Sequence, residues 1–131
     1  LWSDYWPKAP SGPMADPINA ATKYVATHRP ESLAWGPVMD LGKDIIAGVR
    51  RAKAMDGPDL ILWGSSSLTS WLLAEGLVDE LVLITYPVLL GQGKRLFADL
   101  PAREFAFVSS KGSPTGLLLN TYRYVGALKK P

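Results

Sequence analysis

Apolar positions along the chain follow two different periods. Leu41, Ile45 and Val49 recur every four residues, which places them on one side of a helix predicted over residues 40–54. The segment KYVAT, residues 23–27, instead alternates apolar and polar side chains and is rich in β-branched and aromatic types, as in a short strand. The first half of the chain is therefore predicted to hold a strand followed by an amphipathic helix.

The centre of the chain predicts a strand, a turn and a second helix in direct succession. Asp59–Trp63 (DLILW) is almost wholly apolar, which is typical of a strand covered on both faces. Gly64–Ser67 consists of small residues, and residues 68–75 have helical character and end at Gly76. A helix, then a buried strand, then another helix indicates a parallel crossover connection.

The rest of the chain is less regular until its end. The pattern predicts a helix end over residues 1–7, an irregular connection over 8–19, a loop over 28–31, an extended piece over 35–38, a strand over 80–87, a glycine-bearing loop over 88–97, and a hairpin of strands near 104–110 and 116–125. The predicted order is thus α/β first and antiparallel at the end.

Composition adds limits to this picture. The length of 131 residues fits one domain, and 47% hydrophobic with 20% charged residues is ordinary for a globular protein. The chain has no cysteine, which excludes disulfides and thiolate nucleophiles and fits a cytoplasmic location. With a single histidine, His28, no metal site is predicted.

Charge limits the partners. The formal net charge is +2, and the basic residues are scattered, so the sequence does not predict a nucleic-acid surface. No apolar run reaches the roughly 20 residues of a membrane span, so no membrane partner is predicted. The expected partner is a small molecule.

The turn at Gly64–Ser67 is the most informative feature for chemistry. A helix N-terminus presents backbone N–H groups and a partial positive charge to an anion, and glycine and serine let a phosphate approach. The ordinary alternative is that Ser65, Ser66 or Ser67 simply caps the helix. The turn matches neither the Walker loop nor the GxGxxG fingerprint.

A second candidate is the triplet Thr27, His28 and Arg29 after the first strand. Ligands of open α/β sheets collect at the carboxyl ends of strands, and an arginine that grips a phosphate with two N–H groups would favour NADPH over NADH. The alternative is a solvated arginine beside a surface histidine. A serine hydrolase is disfavoured, because Ser65–Ser67 lack a GxSxG elbow and a suitable acid.

Several strings of this chain resemble one known family. RibD C-terminal, dihydrofolate-reductase-like proteins contain strings similar to KYVATHRP, RRAKAMDG, DLILWGSSSLTSWLLAEGLVDEL and TYPVLLGQGKRLF of this chain. The part most specific to that family is GLVDEL followed by PVLLGxGKRLF. The resemblance implies a three-layer α/β/α fold with a mainly parallel twisted sheet and an antiparallel C-terminal hairpin. It implies one such domain over residues 1–131, with the family's first strand, helix and strand missing.

The resemblance also implies site residues. The pyrophosphate and ribose of NADPH would be held by Gly64, Ser65, Ser66, Ser67, Leu68 and Thr69. The 2′-phosphate of NADPH would contact Thr27, His28 and Arg29. Trp63, Tyr86, Leu90 and Gly91 would border the substrate and the nicotinamide. Trp63 stands where the riboflavin-pathway reductase carries an acidic substrate contact, which argues against its ribosyl-pyrimidine substrate.

The implied activity is NADPH-dependent reduction of a pterin-like or pyrimidine-like heterocycle by a homodimer. No catalytic residue is assigned, and Tyr86 and His28 are the candidate proton donors. The alternative is a non-catalytic module of the same fold that binds a nucleotide or dimerises.

Overall fold

The computed structural model describes residues 2–97 and 100–129, which fall into two compact units, Leu1–Pro58 and Asp59–Pro131. The first unit contains a parallel sheet and the second an antiparallel sheet, so the predicted mixed α/β class is confirmed. Leu1, part of the predicted helix end, lies outside the described residues. Among the described residues, no helix combines the length and apolar character needed to cross a membrane.

The first unit begins with helices and ends with one. Its elements are α1 (Trp2–Tyr5), a 3-10 turn (Trp6–Lys8), α2 (Ala15–Ala20), β1 (Lys23–Val25), a second 3-10 turn (Pro30–Ser32), β2 (Val38–Asp40) and α3 (Ile45–Lys53). The predicted helix end ahead of Pro7 is confirmed for the described residues. The predicted irregular connection over residues 8–19 is confirmed for residues 9–14 and was wrong for residues 15–19, which lie in α2. Pro17 is tolerated there because it lies in the first turn, where no intrahelical N–H bond is lost.

Asn19 joins three parts of the first unit. Its side chain donates to the Trp6 carbonyl and accepts from the Trp35 indole N–H, each at 2.9 Å, and its backbone carbonyl accepts from the Lys23 ammonium at 2.6 Å. Lys23 also lies 4.6 Å from the centre of the Trp35 ring. Burial lowers the pKa of Lys23 below its ordinary value of 10.5. This polar cluster fixes the start of β1.

Leu41 connects the parallel strands to α3. Strands β1 and β2 pair from Lys23 with Val38 to Val25 with Asp40, and the Leu41 N–H then donates to the Val25 carbonyl at 2.9 Å. Helix α3 packs so closely on Leu41 that a Cβ at position 48 would lie 2.1 Å from the Leu41 carbonyl oxygen. Glycine at this position is therefore a packing requirement.

The amphipathic helix predicted over residues 40–54 is confirmed in a shorter form. The Asp44 carboxylate accepts from the Ala47 N–H at 2.9 Å and caps the first turn, so regular helix begins at Ile45. The basic side chains of Arg50, Arg51 and Lys53 fall in the last turn, where they complement the helix dipole.

The second unit consists of one helix and a three-stranded sheet. Its elements are α4 (Ser66–Ala74), β3 (Glu80–Thr85), β4 (Arg103–Gly112) and β5 (Leu118–Ala127). Gly76 ends α4 with φ +65°, and the Leu77 N–H donates to the Leu72 carbonyl at 2.9 Å, as in a Schellman motif. The predicted end of this helix at Gly76 is confirmed.

The antiparallel sheet has the strand order β3-β5-β4, which confirms the predicted hairpin. Leu81 of β3 and Phe107 of β4 both pair with Tyr122 of β5, so these side chains share one face. Phe105 and Tyr124 meet edge to face with ring centroids 5.6 Å apart on the β4–β5 pair. Within the described residues, parallel pairing is limited to β1 with β2.

The predicted buried strand at Asp59–Trp63 was wrong. The described backbone over residues 59–63 is irregular, and Ile61 is 74% exposed. A strand requires a neighbouring backbone with which to pair, and apolar composition alone does not supply one. In the structure this segment leads into the turn before α4 without joining the sheet.

The buried apolar side chains of the described residues are few. They are Ala15, Leu41, Val49, Ala52, Leu72 and Leu73. In the first unit, Ala15 lies on α2, while Leu41, Val49 and Ala52 lie on α3 and the loop before it. Leu72 and Leu73 lie on α4 in the second unit. Each unit thus has a small core of its own.

We predict that Gly48→Ala destabilises the chain, because the added methyl group overlaps the Leu41 carbonyl. We expect the free energy of unfolding to fall by about 2 kcal/mol, within the range of overpacked cores. Gly57→Ala is the matched control, since a Cβ there has no atom within 4 Å among the described residues. Urea unfolding of both variants tests this, and equal stability of the two would contradict the packing argument.

Candidate functional site

The turn before α4 is built from two consecutive left-handed residues. Gly64 has φ +65°, and Ser65 has φ 54° and ψ 67°. Ser65 is the only non-glycine residue with positive φ among those described, and this conformation costs an L-residue about 1–2 kcal/mol. Strained backbone of this kind is concentrated at functional sites, so this turn is a candidate ligand-binding segment.

Thr69 holds this turn against the helix. Its hydroxyl donates to the Gly64 carbonyl at 2.7 Å, and its backbone N–H donates to the Ser65 carbonyl at 2.9 Å. Both carbonyls of the left-handed pair are thereby bound to the same residue one turn into α4. The hydroxyl of Thr69, a predicted cofactor contact, therefore has an internal partner, a role that sequence reasoning missed.

The N-terminus of α4 is open to solvent. The side chain of Ser65 makes no cap hydrogen bond within the described part of the chain, and Gly64, Ser65, Ser66 and Ser67 are all exposed. A Cβ built at Gly64 has no described neighbour within 4 Å. The side-chain cap that we weighed as the alternative to phosphate binding is thus not made by Ser65, and an anion has free access to the backbone N–H groups of the first turn.

The second predicted segment, Thr27 to Arg29, lies in the first unit and follows the carboxyl end of β1. The Thr27 hydroxyl accepts from the Arg29 N–H at 3.0 Å, and the Arg29 carbonyl accepts from the Ser32 hydroxyl at 2.8 Å. His28 and Arg29 are exposed. The local hydrogen bonds fix the backbone of Arg29 while its guanidinium reaches solvent, an arrangement suited to an anionic ligand.

The predicted substrate residues lie in irregular segments of the second unit. Trp63 directly precedes Gly64 and is 59% exposed, and Tyr86 follows β3 and is 61% exposed. Leu90 is 82% exposed, and Gly91 has φ +76°. Trp63 is adjacent in sequence to the left-handed turn, so its indole is the large apolar surface nearest to that turn along the chain.

Comparison with known proteins assigns this chain to one protein family. A family model described as the RibD C-terminal domain matches residues 5–119. The protein YyaP of Bacillus subtilis (strain 168), which is described as uncharacterized, is 29% identical over 96% of this chain and 69% of its own length.

Two solved structures are similar in fold. One is a Shewanella sp. PV-4 protein named for riboflavin biosynthesis, with TM-score 0.54, 27% identity and coverage of 82% of this chain. The other is a pyrimidine reductase-like protein of Corynebacterium diphtheriae, with TM-score 0.52, 21% identity and coverage of 67% of this chain. The chain spans 57% and 38%, respectively, of the lengths of these two solved chains.

We predict that Ser65→Gly stabilises the second unit. Glycine removes the steric cost of φ 54°, and the serine side chain makes no cap hydrogen bond that would be lost among the described residues. We expect the free energy of unfolding to rise by about 0.5–1 kcal/mol, since added unfolded-state entropy offsets part of the gain. Ser67→Gly, inside the first turn of α4, should lower it by about 0.5 kcal/mol. If thermal unfolding shows both variants to be destabilised, the left-handed strain is not present in solution.

Proposed function

Because this chain belongs to the RibD C-terminal domain family, a family of reductases, we propose that it is an NADPH-dependent reductase of a small pterin-like or pyrimidine-like heterocycle. The observation that carries this proposal is the left-handed turn at Gly64–Ser65, held by Thr69 at the start of α4. It offers backbone N–H groups to a phosphate in a family usually associated with NADPH.

The residues at this turn fit a pyrophosphate. Small exposed side chains from Gly64 to Ser67 leave room for the phosphate oxygens, and the dipole of α4 favours negative charge at this end. Both carbonyls of the left-handed pair are occupied by Thr69, so they are held away from an approaching anion. Preorganised backbone donors bind without a large ordering cost.

When bound, the nicotinamide of NADPH supplies a hydride, and the protein contributes binding, orientation and electrostatics. Trp63 precedes the phosphate turn and presents an exposed indole on which a flat heterocycle can stack. An indole cannot accept the hydrogen bonds that a carboxylate at this position would accept from a ribosyl-pyrimidine, which favours a small heterocycle without the ribosyl group as substrate. Tyr86 and His28 are the candidate proton donors, and Leu90 and Gly91 the candidate pocket wall.

Arg29 provides the basis for choosing NADPH over NADH. Its guanidinium is exposed, and its backbone is fixed by Thr27 and Ser32. A guanidinium binds the extra 2′-phosphate of NADPH through paired charge-assisted hydrogen bonds. We assign this contact to Arg29, with Thr27 and His28 beside it.

We predict that Ser66→Asp weakens NADPH binding at least about tenfold, because a carboxylate at the start of α4 repels the pyrophosphate. The same carboxylate should not unfold the protein, since acidic side chains favour a helix N-terminus. Ser66→Asn has nearly the same size without the charge and is the matched control. Calorimetric titration with NADPH provides the affinities, and equal affinity of the two variants would show that the phosphate binds elsewhere.

We predict further that Arg29→Ala lowers the affinity for NADPH about tenfold or more and leaves the affinity for NADH unchanged. Loss of the guanidinium removes only the contact with the 2′-phosphate, which NADH lacks. Titrating both nucleotides into the same variant makes NADH the internal control. A parallel loss for both nucleotides would mean that Arg29 acts on the fold and not on selectivity.

One observation favours the second candidate function, a non-catalytic dimerising module. Val82 and Ile84 of β3 are exposed, and Leu119 of β5, which pairs with Ile84, is exposed on the same face of the sheet, so these three side chains form an apolar patch. Such a patch is typical of an interface between protein chains. Loss of NADPH absorbance in the presence of pterin or pyrimidine acceptors supports the reductase, whereas self-association in sedimentation without turnover supports the module.

A further inference from the structure

A cavity of about 390 Å³ lies in the second unit, between α4, one face of the sheet and the segment before β4. Its lining residues are Leu73, Leu81, Leu83, Phe97, Leu100, Pro101, Arg103, Phe105 and Tyr122. The strand register explains this lining, because Leu81 lies opposite Tyr122 on neighbouring strands and their side chains point the same way. None of the predicted cofactor or substrate residues contributes to this described lining.

Arg103 is the one charged residue among the described residues that line this cavity. A terminal nitrogen of its guanidinium donates to the Ala74 carbonyl at the end of α4, which anchors the group. Its Nε is buried and has no hydrogen-bond partner among the described residues. A charged donor without an acceptor beside an apolar cavity costs free energy until an acceptor meets it.

We propose that this cavity is a binding site for a small amphipathic carboxylate, whose apolar body fills the cavity and whose carboxylate pairs with Arg103. A carboxylate matches the planar guanidinium and supplies the missing acceptor after a small rotation of the side chain. The apolar body replaces water against Leu81, Leu83 and Phe105.

The size and charge of the cavity select this ligand class. A volume of about 390 Å³ lies near the lower end of the roughly 300–1,000 Å³ of small-molecule sites, which suits a medium-chain or single-ring acid. A dinucleotide carries several negative charges, whereas Arg103 is the single cation among the described lining residues. Because none of residues 64–69 belongs to the described lining, the site is separate from the proposed NADPH turn.

The proposal is tested by titrating the full chain separately with decanoate, decanol and decylamine, and by following binding with calorimetry and amide NMR. Each compound is kept below the concentration at which it aggregates. Decanoate is expected to bind saturably and to shift the amide signals of Leu81, Leu83 and Tyr122. Decanol should bind at least about tenfold more weakly, because it lacks the charge that pairs with Arg103, and decylamine more weakly still. Equal binding of decanoate and decanol, or shifts confined to other parts of the chain, would overturn the proposal.

Substitutions in the cavity provide a second test of the proposed carboxylate site. Arg103→Met should weaken decanoate binding about tenfold or more and leave decanol unchanged. Arg123→Met is the matched control, because Arg123 is exposed and alternates with Tyr122 onto the opposite face of β5. Leu83→Phe narrows the cavity and should weaken decanoate and decanol alike. Since the three-ligand comparison uses the unmodified chain, absence of decanoate binding by that folded chain refutes the site even if Arg103→Met fails to fold.

Discussion

The central position of β5 is the constraint on which the second unit depends. Because β5 pairs with β3 on one side and β4 on the other, it determines which side chains of three separate segments share a face. The Tyr124 N–H also donates to the Asp79 carbonyl at 2.8 Å, which attaches the entry of β3 to the same strand. A shift of one residue in this register would move Tyr122 and its neighbours to the other face and remove the cavity wall. The cavity is therefore a consequence of strand pairing and not of any single local motif.

The turn before α4, in contrast, owes its geometry to residues that are close to it in sequence. Left-handed backbone at Ser65 is unfavourable by itself, and two hydrogen bonds to Thr69 hold it in place. The same bonds keep the carbonyls of Gly64 and Ser65 occupied, so the helix terminus presents donors rather than acceptors to an incoming ligand. Strain at this position is thus linked to the open end of the helix, because the hydrogen bonds that hold the left-handed pair also leave the exposed backbone N–H groups of the first turn facing solvent.

Features set by neighbours in sequence could be predicted, and those set by distant pairing could not. The helix around Val49, the end of α4 at Gly76 and the C-terminal hairpin all follow from periodicity and turn residues, and all are confirmed. The candidate segment Gly64–Ser67 could be proposed for the same reason, since a small-residue turn before a helix is a local pattern, and its role as a site stays a prediction. Asp59–Trp63 was assigned wrongly because its composition indicates burial without indicating a partner strand. Arg103 could not be predicted as a cavity residue, because its environment is formed by α4 and β3, which are distant from it in sequence.

The small cores of both units connect stability to ligand binding. Buried apolar side chains number only a few in each unit among the described residues, while large apolar side chains such as Ile61, Trp63 and Leu90 are exposed. A protein with a small core has a small free energy of unfolding, so a ligand that binds only the folded form adds a large share of the total. For such a chain, affinity and folding are coupled: variants that loosen the turn or the sheet lower affinity even where they touch no ligand atom. Paired variants that differ in charge but not in size, such as aspartate and asparagine at position 66, separate a contact with the ligand from this general effect, because both alter packing to nearly the same extent.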